Sequence, residues 1–146
     1  MLRTRITQVA ATALGATALL ATTASAAGAP TISSLKTASY GNKVTVTITT
    51  KNFKIDAKDV GKAPKAGKGH EHFSLDGGKY DYPKYSGANG KLAAQLGVQG
   101  KYSPSVTNAV TYTGLPKGKH TITVFLVRNN HTNYPGAKKT LRFTVK

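Results

Sequence analysis

The stretch Lys43–Thr49 constrains the fold more than any other: Val44, Val46 and Ile48 alternate with Thr45, Thr47 and Thr49. A strand sends successive side chains to opposite faces, so period two with β-branched residues on both faces predicts a strand. The alternation returns in Thr121–Val127, with Ile122, Val124 and Leu126 on one face. It returns again in Thr140–Val145, with Leu141, Phe143 and Val145 directed inward. Thr31–Thr37, His70–Leu75 and Val106–Tyr112 read as further strands, and Phe53 and Ile55 continue an extended segment. Between them lie turn signals: Asp76-Gly77-Gly78, the SGANGK run at 86–91, and Leu115-Pro116-Lys117-Gly118. Residues 61–69 interleave glycine and lysine around one proline and read as an exposed loop. Leu92–Leu96 fits either a short helical turn or an irregular strand, and no amphipathic helix stands out. Short strands punctuated this often predict an all-β chain, an immunoglobulin-like antiparallel β-sandwich of about seven to eight strands. The cysteine pair and tryptophan of antibody domains are absent, so the expectation concerns architecture alone.

The amino terminus is read separately. Arg3 and Arg5 form a basic start, an Ala/Leu/Thr-rich apolar run follows, and Ala24-Ser25-Ala26 supplies a small-x-small cleavage signal. This is the pattern of a secretory signal peptide over residues 1–26, leaving residues 27–146 as one domain large enough for a hydrophobic core. The expected location is secreted, extracellular or in a cell envelope, with no membrane span after cleavage. The chain has no cysteine, which excludes disulfides, a thiol nucleophile and thiolate metal sites.

Charge is the dominant compositional bias. The whole chain carries 21 Lys and Arg against 5 Asp and Glu. Without Arg3 and Arg5 the remaining 19 cations against 5 acids leave +14. Only Arg128 and Arg142 among those 19 are arginine. Lysine acts as a hydrated point charge, whereas arginine forks give bidentate recognition of phosphates and bases. Dispersed lysines therefore predict general attraction to polyanions, an anionic cell-wall polymer, glycan or nucleic acid, without sequence-specific nucleic-acid binding. The plainer reading is a charged surface that keeps the chain soluble.

All four histidines fall in two short stretches, GHEHFSLDGG at 69–78 and LPKGKHTITVFLVRNNH at 115–131. On a strand, His70 and His72 project side by side, opposite a Phe73/Leu75 core face. His131, at the far end of a neighbouring strand, would add a third nitrogen. Three imidazoles with an open fourth position suit Zn²⁺ or Cu²⁺. Glu71 points to the other face and is a poor ligand. His120 opens a strand directly after a tight turn; it either supports the metal site or ties the turn to the strand by hydrogen bonds, since an imidazole donates and accepts at once. The plain alternative for the other three is an exposed polar cluster or a hydrogen-bonded network. If the cluster holds a metal, protons should compete for it below about pH 6.

Catalysis finds little support. Asp56, Asp59, Glu71, Asp76 and Asp81 form no spaced acid–base pair, and Ser74 near His72 makes no triad. No nucleophile elbow or phosphate-cradling glycine loop is present. A histidine-brace copper site needs histidine as the first residue of the processed chain, where Ala27 is expected. The run Tyr80-Asp81-Tyr82-Pro83-Lys84-Tyr85 would let Tyr80, Tyr82 and Tyr85 stack on sugars beside Lys84; its plain alternative is an edge strand with ordinary β-propensity. The expectation is a non-enzymatic binding module.

The pairing of GHEHFSLDG with LPKGKHTITVFLVRNNHTNYPG, closed by LRFTV, resembles a group of small exported bacterial and archaeal domains. These read G-H-x-H-aromatic-x-L-D-G, then L-P-x-G-x-H-T, then an acidic or Asn-rich turn ending in histidine. The resemblance covers about half of residues 27–146. It implies an immunoglobulin-like sandwich and membership of His70, His72, His120 and His131 in one recurring pattern, and it implies no activity. Where such domains often carry Asp before the last histidine, this chain has Asn129 and Asn130, which removes a carboxylate neighbour.

Overall fold

The structure, a computed structural model, describes residues 28–80, 87–95 and 103–146. The expected leader at 1–26 lies outside the described residues, as do Asp81, Tyr82, Lys84 and Tyr85.

Two sheets face each other. The first has three strands, in the order β1 (Thr31–Tyr40), β2 (Lys43–Lys51) and β6 (Ala109–Tyr112). The second has five: β3 (Lys54–Ile55), β4 (Lys68–Leu75), β7 (Gly118–Val127) and β8 (Asn133–Val145) in that order, with β5 (Ser103–Ser105) also paired to β4. All pairings are antiparallel except the short parallel β3–β4 contact. The all-β expectation holds in this form. The period-two pattern of β2 places Val44, Val46 and Ile48 in the core while Thr47 and Thr49 face water. Ile122, Val124 and Leu126 of β7 are fully buried opposite them, beside Phe73 and Leu75 of β4. Tyr112 and Leu115 complete this interior. Each such side chain contributes about 1.5–3 kcal/mol by leaving water.

Three elements differ from the sequence expectation. Residues Gly87–Gln95 form a helix, α1, where glycines and a weak apolar pattern gave little signal. Strand β5 is a three-residue pairing around Pro104, too short to carry a periodicity. Strand β8 starts at Asn133 rather than Thr140; Asn133 pairs with Val127, and Pro135 and Gly136 lie in the register irregularity before Lys138 pairs with Phe125. Among the described residues, no helix is long and apolar enough to cross a membrane.

Strand β4 sits inside its sheet, with β7 on one side and β3 and β5 on the other. It is buried on both faces: Phe73 and Leu75 enter the core between the sheets, and His70, His72 and Ser74 are also almost wholly buried. This centrality turns the histidine pair into a built-in feature rather than a surface decoration.

Candidate metal centre

Glycine opens the site. A Cβ built at Gly69 would run into the backbone carbonyl oxygen of Val127, so only glycine lets β4 lie this close to the end of β7. That approach sets the register in which His70 faces Val127 and His72 faces Phe125. The pairing of β7 with β8 is irregular between Phe125 and Val127, and the chain turns over residues 128–132 before β8 begins.

The turn aims His131 back at β4. The backbone N–H of His131 donates to the Arg128 carbonyl at 2.9 Å, and that of Arg128 donates to the Thr132 carbonyl at 2.8 Å. His131 takes φ +63°, left-handed backbone that a non-glycine residue adopts at a cost. Asn129 and Asn130 hold this shape. The Asn130 side-chain oxygen accepts from the Thr132 backbone N–H at 3.2 Å and from its hydroxyl at 2.7 Å. Asn129 is wholly buried; its side-chain amide donates to the Asp56 carboxylate at 3.3 Å, and its backbone carbonyl accepts from the Gly61 N–H at 2.7 Å. An aspartate at 129 would set two carboxylates against each other, which explains the asparagine. Both asparagines serve the turn.

Three ring nitrogens converge. His70 Nε2 lies 3.1 Å from His72 Nε2 and 3.3 Å from His131 Nδ1, and one ligand atom from each residue falls within 4.8 Å of the others. The His131 ring meets the other two edge-on, with centroids 4.5 and 5.5 Å away. His72 stacks on Phe125, centroids 5.5 Å apart, which fixes its plane. One imidazole nitrogen carries either a proton or a lone pair, so His70 Nε2 cannot make two full hydrogen bonds to two other ring nitrogens. A cation accepting all three lone pairs satisfies every one of them. The cluster can therefore hold a metal ion.

The electrostatics agree. Burial lowers the His70 pKa to about 3, with His131 adding to the effect. Burial also lowers His72 to about 3, reinforced by His70 and His131, and shifts the more open His131 in the same direction. Neutral imidazole is the form that ligates metal. The expected competition from protons below about pH 6 therefore moves to more acidic conditions for His70 and His72.

His120 stands apart. It lies five residues before Phe125 on β7, roughly 17 Å along the strand from the row that holds His72. Its Nδ1 donates to the Asp76 carboxylate at 2.6 Å and its Nε2 to the Pro116 carbonyl at 2.9 Å. The other Asp76 oxygen accepts the Thr121 backbone N–H at 2.7 Å, and the imidazole stacks on Phe143. This corrects the supporting role at the metal centre: of the two alternatives, tying turn to strand is the one realised. Burial alone would lower its pKa, but the Pro116 carbonyl and the Asp76 carboxylate outweigh burial and raise it.

Glu71 is turned away from the histidines, as expected, yet it is wholly buried, which the sequence did not signal. Burial pushes its carboxyl up to about 8, and neither oxygen has a hydrogen-bond partner among the described residues. Tyr80 is half-buried, packed against the core with its ring edge-on to His120 and the Lys79 ammonium 5.3 Å above it. Tyr82, Lys84 and Tyr85, its companions in the expected sugar-stacking run, lie outside the described residues. Comparison with known proteins finds no matching family model, no matching curated protein and no matching solved structure.

Proposed function

We propose that the protein is an exported, non-catalytic binding module that holds one divalent transition metal through His70, His72 and His131. The observation that carries this reading is the convergence of three buried or half-buried ring nitrogens at 3.1 and 3.3 Å around His70 Nε2. In a tetrahedral site with Zn–N bonds of 2.0–2.1 Å, neighbouring nitrogens lie about 3.3–3.4 Å apart; a right-angled arrangement would bring them to about 2.8–3.0 Å. The 3.3 Å separation matches the tetrahedral edge and the 3.1 Å one falls between the two geometries, so the spacing fits Zn²⁺ or Cu²⁺. The three protein ligands leave a fourth position for water or a small ligand. X-ray absorption on zinc-loaded, untagged protein tests the ligand set. About three imidazole nitrogens at 2.0–2.1 Å are expected; a shell of oxygen alone would refute the assignment.

A second reading has its own observation. Among the described residues, Asp59 alone makes ion pairs with lysine, to Lys62 and Lys65. Among the described residues most of the positive charge is left without a carboxylate partner, which supports a cationic surface that meets an anionic polymer.

A further inference from the structure

The outer face of the five-stranded sheet is an ordered grid. Residues directly opposite each other on neighbouring strands share a face. Register therefore gives four rows across β4, β7 and β8: His72–Phe125–Lys138, Ser74–Thr123–Thr140, Thr121–Arg142, and Lys119–Thr144. Successive rows are about 6.8 Å apart, so the grid is about 20 Å long. Lys119, Lys138 and Arg142 are exposed, and none has an ion-pair partner among the described residues. Neither β7 nor β8 contains an acidic residue. Between the cations stand hydroxyls, with Thr123 and Thr140 bonded to each other at 3.0 Å. Two recesses open on this face. One, of about 430 Å³, is lined by Ser74, Thr123, Phe125, Tyr134 and Lys138. The other, of about 410 Å³, is lined by Lys119, His120, Thr121, Arg142, Phe143 and Thr144.

We infer that this face binds a linear anionic polysaccharide, its carboxylates or sulfates on Lys138, Arg142 and Lys119 and its hydroxyls on the threonine rows. Charge complementarity selects a polyanion. The lining selects among polyanions. Single-stranded nucleic acid is gripped by aromatic platforms on which successive bases stack. The aromatic rings that line this face are already engaged: Phe125 stacks on His72, Phe143 stacks on His120, and Tyr134 meets Phe53 edge-on with Arg128 over its ring; the one arginine of the rows is a single fork. Alternating hydroxyls and cations fit a hydroxyl-rich chain better. Because His72 heads the first row, the bound polymer ends beside the metal centre.

The inference deepens the surface-interaction reading and rests on it; it does not depend on the metal. Binding of polygalacturonate oligomers is measured at low salt by calorimetry, for wild type and two triple variants. Lys119→Glu/Lys138→Glu/Arg142→Glu reverses the grid. Lys36→Glu/Lys43→Glu/Lys51→Glu makes the same change of net charge on exposed positions of the three-stranded sheet. The grid variant is expected to lose about tenfold or more in affinity and the control about threefold or less. Thermal melts establish that each variant is folded; if the grid triple melts early, the same three positions changed to Gln repeat the comparison. Equal losses in both triples would overturn the grid while leaving general cationic attraction. Tighter binding of a thymidine oligomer than of polygalacturonate, lost in the same triple, would replace the glycan with nucleic acid. No binding of any polyanion by wild type would sink both this inference and the reading beneath it.

Discussion

At the scale of single residues, protonation separates the four histidines into two kinds. His120 donates from both nitrogens, a pattern only the charged imidazolium allows, and its pKa is raised. A histidine raised in the folded state contributes stability that is complete below its unfolded pKa of about 6.5 and is lost as pH rises through the folded value. Melting temperature is therefore expected to fall as pH climbs above that point. His120→Gln should abolish this slope and lower stability at pH 5 by about 1–3 kcal/mol, read from urea unfolding at pH 5 and pH 9. The three clustered histidines behave oppositely. Their folded pKa values are depressed, so protons destabilise the fold as pH drops from about 6.5 toward 3. Metal should nonetheless stay bound through mild acid, and a zinc titration at pH 5.5 is expected to lose little affinity relative to pH 7. A collapse of affinity between those two values would mean that the imidazoles titrate as exposed groups.

At the scale of elements, Gly69 and the 128–132 turn do the positioning. Gly69→Ala forces β4 away from Val127 and takes His70 with it. The expected result is a loss of zinc affinity of more than tenfold together with a lower melting temperature, checked by calorimetry and circular dichroism on the same preparation. His131→Gly would relieve the left-handed backbone but remove a ligand, so a folded protein with weakened zinc binding is expected. Much of this scale was legible in the chain. The alternation of β2, β7 and the end of β8 declared itself because each has one apolar and one polar face. The His70–His72 pairing followed from strand geometry alone; His131 was expected at the end of a neighbouring strand and lies instead in the turn four residues beyond β7. Other elements were hidden for physical reasons. Strand β5 is held by β4 rather than by any pattern of its own, and α1 draws on glycine, a poor helix former. Glu71 was invisible as a buried group, because sequence alternation assigns a face and not a depth. The two roles open to His120 could be separated only by its distance from the cluster, which depends on strand register and not on spacing along the chain.

At the scale of the whole molecule, a hydrophobic interior supports two independent features on one sheet. The core tolerates little: Ile122→Ala, at a site with no exposure, is expected to cost about 2–5 kcal/mol in urea unfolding without altering the histidine ligand atoms. Among the described residues Lys62 and Lys65 are the only lysines or arginines that pair with a carboxylate, so most of the surface charge is left open and retention on a heparin column should fall steeply with salt. That retention should be indifferent to His72→Ala, whereas metal binding should be governed by it. The central claim is that three histidines hold one ion. Its most direct test is calorimetric titration of untagged wild type and His72→Ala with Zn²⁺ at pH 7. One ion per wild-type chain, and a loss of most of the affinity in a variant that melts as a folded protein, is the predicted result. A folded His72→Ala that binds Zn²⁺ as tightly as wild type would contradict it.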